Sequence, residues 1–259
     1  MAKPNPAPVL AGWYVISLRP SGAHGPVRRA AAALGARVLP VSTLRLLSMD
    51  AGVALDAALA CSIVVFTSPA AVRFARAQRP LVDAPDQVWL AVGSGTATAL
   101  RQAGIGSVRM PPDRADSEGL LALPELQSLR GQPVGLVTAP GGRGLIGETL
   151  AHRGALVHLA EVYRREPLMP SASRTGLIPA LPESSALLVT SIEAFDALWS
   201  RLGEPTRQVL RRRPVVASSP RLAARLAEEA FAAIVIADGA APNALLAALA
   251  ADVAGGRFR

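Results

Sequence analysis

Tyr14 and Tyr163 are the only two phenols in the chain. Four short stretches share one pattern: an apolar run, a break rich in hydroxyls or glycine, then residues of helical period. They are Thr67-Ser68, Gly93-Ser94-Gly95-Thr96, Thr190-Ser191 and Ser218-Ser219. Ser and Thr at such a break cap a helix by accepting hydrogen bonds from its first free amides. Those amides, with the partial positive charge of a helix N-terminus, can also hold a carboxylate or phosphate. Each loop alone is read either way, and repetition of the pattern favours a shared anion site. A phenol can donate a proton or a hydrogen bond to a substrate. Tyr14 lies inside an alternating apolar run and reads as a strand residue. Tyr163 closes the run Val157 to Val162 and precedes Arg164-Arg165-Glu166-Pro167. At that junction it either packs an interface or donates into a cleft. Ala139-Pro140-Gly141-Gly142-Arg143-Gly144 could wrap an anion with Arg143 as counter-ion, but no Gly-Lys-Ser/Thr follows as in a nucleotide P-loop.

Other reaction chemistries find no residues. There is no Gly-x-Ser-x-Gly elbow and no His-Glu-x-x-His. The single cysteine, Cys61, stands in an apolar run and reads as a buried structural thiol. His24, His152 and His158 lack the i, i+4 spacing of a helical metal pair and read as surface or satisfied histidines. Gly93-Ser94-Gly95 has two of the three dinucleotide glycines, with Thr98 where the third belongs. No metal and no cofactor is therefore expected. An enzyme with this inventory works by holding a reactive substrate and moving a proton.

The elements that must position these loops are short. With 22 Gly and 22 Pro among 259 residues, many turns punctuate the chain, which excludes a coiled coil. The hydrophobic fraction is 51% but aromatics are 4%, a mix that suits helices on sheets rather than an aromatic-rich sandwich. Strands are predicted at Trp13–Leu18, Arg37–Val41, Ser62–Phe66, Val88–Val92 and Val134–Val137, each succeeded by a loop and several by a helix. That alternation predicts parallel sheets covered on both faces. The second half repeats the first. Leu34-Gly35-Ala36-Arg37-Val38 matches Arg153-Gly154-Ala155-Leu156-Val157 at a spacing of 119, and the Thr67-Ser68 strand matches the Thr190-Ser191 strand at 123. Val92 and Ala217 close a third matched pair at 125. Two similar α/β units of about 120 residues follow, with the proline-rich stretch 164–183 read as a linker and a cleft as the ligand site.

Net charge is +8, carried by arginine except for Lys3. Guanidinium suits carboxylate and phosphate, although a GC-rich genome would produce the same bias. Nucleic acid is disfavoured because the arginines are scattered and stacking aromatics are few. No apolar run reaches the ~18–20 residues of a membrane span, and the prolines of MAKPNPAP do not suit a signal peptide, so a cytoplasmic protein is expected.

Taken in order, several segments resemble the uroporphyrinogen-III synthase family, the tetrapyrrole-pathway cyclases. They are Ser17-Leu18-Arg19-Pro20, Val65-Phe66-Thr67-Ser68-Pro69-Ala70-Ala71-Val72, Ala91-Val92-Gly93-Ser94-Gly95-Thr96-Ala97, Ser117-Glu118-Gly119-Leu120-Leu121, Gly154-Ala155-Leu156-Val157 leading to Val162-Tyr163-Arg164, and Val189-Thr190-Ser191. The chain departs from the family at Cys61-Ser62, where an acidic residue is common, at Thr138-Ala139-Pro140 and at Ser218-Ser219-Pro220-Arg221.

The resemblance implies two flavodoxin-like parallel-sheet α/β domains joined by a two-strand connection, with a cleft between them. One domain would hold residues 1–38 plus 168–259 and the other 40–162, with crossings near 39 and 163–167. It also implies closure of hydroxymethylbilane to uroporphyrinogen III, with inversion of the last ring and loss of water. Tyr163 takes the family tyrosine's place as proton donor. Thr67, Ser68, Thr96, Ser191 and Ser219, with Arg19 and Arg143, are the expected substrate-binding residues. The expected form is a cytoplasmic monomer without cofactor, metal, nucleic acid or membrane. Hydroxymethylbilane is its substrate, and a transient contact with hydroxymethylbilane synthase, the preceding deaminase, is left open. The competing expectation is a non-catalytic two-domain protein that clamps a small anion.

Overall fold

The computed structural model describes residues 8–112, 116–141 and 144–258. Twelve strands lie within them: β1 Tyr14–Ser17, β2 Arg37–Pro40, β3 Leu44–Ser48, β4 Ile63–Phe66, β5 Val88–Ala91, β6 Val108–Arg109, β7 Pro133–Thr138, β8 Leu156–Glu161, β9 Tyr163–Pro167, β10 Ser185–Val189, β11 Pro214–Ala217 and β12 Ala233–Ile236. Two compact units result. The first is Met1–Arg45 with Glu166–Arg259, the second Leu46–Arg165. The first crossing thus falls at residues 45 and 46 rather than near Leu39. The reason is that β2 pairs with β1 through Pro40, and the Val41 amide still bonds the Ser17 carbonyl at 3.0 Å.

In the first unit five parallel strands run in the order β12-β11-β10-β1-β2. Alternation along the central strand sends Ala186 and Leu188 into one hydrophobic layer and Leu187 and Val189 into the other. Both faces are therefore covered, which is why β10 reads as an unbroken apolar run. From Glu166 on, the stretch expected as a linker belongs to this unit. Ile178 is fully buried, and the Arg213 guanidinium donates to the carbonyls of Ile178 at 2.9 Å and Leu181 at 2.7 Å. Its prolines mark turns over a packed layer, not a free connector.

The second unit carries its own five parallel strands, ordered β6-β5-β4-β7-β8. Phe66 stacks on Trp89 at 5.9 Å within its core. Gly135 on β7 lets the helix Gly52–Leu59 approach closely: a Cβ there would stand 2.0 Å from the Ala58 carbonyl oxygen.

The repeat in the sequence explains both orders. Substituting β7, β8, β4, β5 and β6 for β1, β2, β10, β11 and β12 turns one sheet order into the other. The first unit counts 2-1-3-4-5, the flavodoxin order. The second has the same order as a circular permutant, because its chain enters at the third position. Each sheet therefore takes its first two strands from one sequence repeat and its last three from the other. Arg37 and Leu156 begin β2 and β8, and Leu44 and Tyr163 begin β3 and β9, each pair 119 residues apart. Gly35 and Gly154 are matched too. Both close a helix at positive φ (+83° and +82°), and a side chain on either would press on backbone atoms at 3.2 Å.

The strands β3 and β9, which carry the chain from one unit to the other, pair with each other. Backbone bonds bracket them, Leu168 N to Thr43 O at 2.8 Å and Met49 N to Val162 O at 3.1 Å, the pattern of antiparallel strands.

Candidate active site

In each unit the hydroxyl loops stand beyond the carboxyl ends of the parallel strands, the edge where doubly wound sheets bind ligands. Ser68 follows β4. Its extended backbone lets the side-chain oxygen accept the Ala71 amide at 3.0 Å, which caps the helix Pro69–Arg76. Pro69 occupies the first helical position, where no amide is needed, and Arg73 and Arg76 lie in the last turn against the negative end of the dipole. Ser191 caps Ile192–Trp199 through Ala194 N at 3.2 Å, and Ser219 caps Pro220–Ala227 through Leu222 N at 3.3 Å. The capping function expected of these serines is met in all three. The fourth loop differs: its helix begins at Ser94 rather than Thr96, and Gly93 supplies no side-chain cap.

Tyr163 stands behind the first of these caps. Its side chain is buried, 3% exposed, and its phenol oxygen lies 3.0 Å from Ser68 Oγ. Phe74, one and a half turns along the capped helix, stacks on its ring at 5.3 Å with an interplanar angle of 15°. The Arg165 guanidinium lies 6.0 Å from the ring centre. Next to Ser68, the Thr67 hydroxyl donates to Thr138 Oγ1 at 2.8 Å, tying the ends of β4 and β7 together. Thr96 is also in this unit, yet its side chain is buried with Ala97 and Leu100 on the core side of its helix. The second unit therefore brings Thr67, Ser68 and Tyr163 together and keeps the Thr96 side chain in the core. Arg143 lies outside the described residues.

The repeat singles out one position. By the spacing of 119, Tyr163 corresponds to Leu44 in the other unit, and by the spacing of 123 Ser68 corresponds to Ser191. The helix-capping serine is duplicated while the phenol is not. At the matched place in the other unit Leu44 is buried, at 5% exposure, with no polar group.

In the first unit Arg19 leaves the end of β1 and donates to the Ala240 carbonyl, while its Nε is buried without a partner among the described residues. Burial lowers its pKa from the ordinary arginine value. A hydroxyl–imidazole chain braces the same segment. Ser42 Oγ donates to the Arg19 carbonyl at 3.0 Å, His24 Nε2 lies 2.8 Å from Ser42 Oγ, and His24 Nδ1 lies 3.0 Å from Ser17 Oγ. Because Ser42 spends its one proton on the carbonyl, Nε2 must carry the imidazole proton and Nδ1 must accept from Ser17. Desolvation first, then the charges of Arg28, Arg19 and Arg174, lower the His24 pKa to about 4. His24 is thus a satisfied buried histidine. Cys61 is buried as expected, its thiol donating to the Ala57 carbonyl at 3.3 Å and raised in pKa by desolvation. Tyr14, on β1, accepts from Arg37 at 3.0 Å.

Sequence reasoning missed Thr138, Phe74, Ser17 and Ser42. Thr138 marks a strand end like the other hydroxyl loops and was visible on that ground; Phe74 shows only as one apolar residue among several on its helix.

Two parallel sheets with helices on both faces, and hydroxyl loops gathered at their carboxyl edges, define a two-domain α/β protein of the doubly wound class. The family model described as uroporphyrinogen-III synthase HemD matches residues 26–247. The chain belongs to the uroporphyrinogen-III synthase family. It is 36% identical over 202 residues to the uroporphyrinogen-III synthase of Escherichia coli K12, covering 74% of this chain and 80% of that protein. Against the Salmonella typhimurium LT2 enzyme it is 38% identical over 163 residues, 62% of this chain and 66% of that one. Among solved structures, the uroporphyrinogen-III synthetase of Helicobacter pylori 26695 superposes with a TM-score of 0.60 at 17% identity, covering 93% of this chain and 99% of that one. A mutant uroporphyrinogen III synthase of the extremely thermophilic bacterium Thermus thermophilus gives 0.53 at 19% identity, over 91% and 96%. These two establish the shared fold. Among the described residues no helix is long and apolar enough to cross a membrane.

Proposed function

We propose that the chain closes hydroxymethylbilane to uroporphyrinogen III, with Tyr163 as the source of the proton that releases the terminal hydroxyl as water. The family match across residues 26–247 carries the reaction. The buried phenol beside the Ser68 helix cap, absent from the matching place in the other unit, supports the assignment to Tyr163. Loss of water leaves an azafulvene cation that the pyrrole stabilises itself. The protein then has to favour attack at the substituted carbon of the last ring, through a spiro intermediate, over head-to-tail closure. That is control of geometry, and it calls for fixed contacts to the substrate's acetate and propionate groups.

Ser191 and Ser219, which cap helix starts by accepting and keep a hydroxyl proton to give, are suited to hold carboxylates with the amides around them, while Thr67, bonded to Thr138, fixes the loop that presents Ser68. Arg19 supplies charge from a braced segment, and Arg143 adds a second guanidinium. Thr96, with its buried side chain, acts by fixing the first turn of its helix. On this reading the enzyme is a cytoplasmic monomer that needs no metal or added cofactor.

The test is Tyr163→Phe. Turnover is expected to fall about 100-fold, the scale of general acid catalysis, with the thermal transition near that of the wild type. Wild-type turnover in this variant would remove Tyr163 from the mechanism.

A further inference from the structure

We infer that Ser68 is a catalytic residue, the group through which the Tyr163 proton reaches the leaving hydroxyl. This rests on the synthase reading above. The assignment comes from counting donors and acceptors around one oxygen. A serine hydroxyl has one proton to give and two lone pairs to fill. The Ala71 amide fills one lone pair of Ser68 Oγ at 3.0 Å, and the Tyr163 hydroxyl lies at 3.0 Å.

If Ser68 donated to the phenol, the Tyr163 proton would need another acceptor, and Tyr163 itself is only 3% exposed. Among the described residues the phenol has no hydrogen bond except the one to Ser68. Tyr163 therefore donates, Ser68 accepts twice, and the Ser68 proton is left pointing away from both partners. Ser68 is half-buried where Tyr163 is buried, so it is the Ser68 hydroxyl that meets a substrate at the end of β4. The first turn of the capped helix favours negative charge on the oxygen that gives up its proton.

The proton transfer balances. Ser68 gives its proton to the terminal hydroxyl oxygen, the carbon–oxygen bond breaks, and the bonding pair leaves with water. Tyr163 refills Ser68 and becomes a phenolate. The spiro intermediate then opens, the unsubstituted α-carbon of the last ring closes the macrocycle, and the one proton that this carbon loses restores the phenol. The other unit keeps the capping serine, Ser191, but has Leu44 where the phenol would stand, so one relay serves the molecule.

The experiment compares single-turnover rates of uroporphyrinogen III formation for wild type, Tyr163→Phe, Ser68→Ala, Ser68→Asn, Ser68→Thr and the Tyr163→Phe/Ser68→Ala double variant, with thermal melts alongside. Asn keeps a capping oxygen but cannot pass a proton. Ser68→Ala and Ser68→Asn are expected to slow the reaction about 100-fold, as Tyr163→Phe does. Ser68→Thr should retain most of the rate, and the double variant should be no slower than the singles, because the residues act as one unit. In mixtures of light and heavy water the wild-type rate should follow a curve that requires two protons in transit.

Near wild-type rates in folded Ser68→Asn or Ser68→Ala, or a straight line in the solvent mixtures, would overturn the relay and leave the phenol acting directly. Failure of the wild-type protein to form isomer III is a separate result, and it would remove the synthase reading itself.

Discussion

Tyr163 and Leu44 occupy matched positions 119 residues apart, and a buried phenol stands at the one where the other has an aliphatic side chain. The ring of Tyr163 keeps its stack on Phe74 when the hydroxyl is removed, so Tyr163→Phe separates chemistry from packing. His24 gives the residue scale a pH signature. Its folded pKa of about 4 lies below the ordinary 6.5, so the unfolded chain takes up a proton first as pH falls. Stability should decline between pH 6.5 and about 4 and show no further loss from this group below that. At ~1.4 kcal/mol per unit the loss is at most about 3.5 kcal/mol. Urea melts across that range should show the decline in the wild type and a flatter profile in His24→Gln; equal slopes in both would contradict it. In the sequence, the hydroxyl loops and Tyr163 stood out by residue type. The chain from Ser17 through His24 to Ser42 did not, because a network joined only by folding leaves no spacing to read.

At the scale of elements, the serines that cap helices were legible because a helix start has a local chemical requirement. Ser68-Pro69 and Ser219-Pro220 meet it twice over, with a cap and a proline at the first helical position. Gly35 was legible for a similar reason, since its positive φ follows from its place after a helix. Gly135 was not, because its requirement comes from a helix more than seventy residues earlier. A Cβ at that position would meet the Ala58 carbonyl, so Gly135→Ala forces the helix Gly52–Leu59 away from β7. The expected cost is about 1–3 kcal/mol, the range for overpacking a core, read as a lowered urea midpoint. An unchanged midpoint would mean the helix adjusts freely. The proline-rich stretch 164–183 was misread as a linker because prolines mark turns whether or not the chain between them is packed.

For the whole molecule, the repeat was legible as spacings of 119 to 125, while the exchange of strands between repeats came from the family resemblance and not from those spacings. Parallel pairing is set by contacts far apart in sequence, and β1 fits β10 or β4 equally well as an apolar run. What fixes the exchange is the pair of crossing strands β3 and β9, which carry each repeat's chain into the other sheet. The same crossing places Tyr163 at the start of β9, behind a helix cap supplied by the other repeat. The arrangement is meant to direct ring closure, so the product's isomer is the most direct readout. Hydroxymethylbilane made by its deaminase from porphobilinogen closes unaided to uroporphyrinogen I. Adding this protein, oxidising, and separating the isomers should give isomer III in place of isomer I. Isomer I alone, in the presence of folded protein, would contradict the synthase assignment.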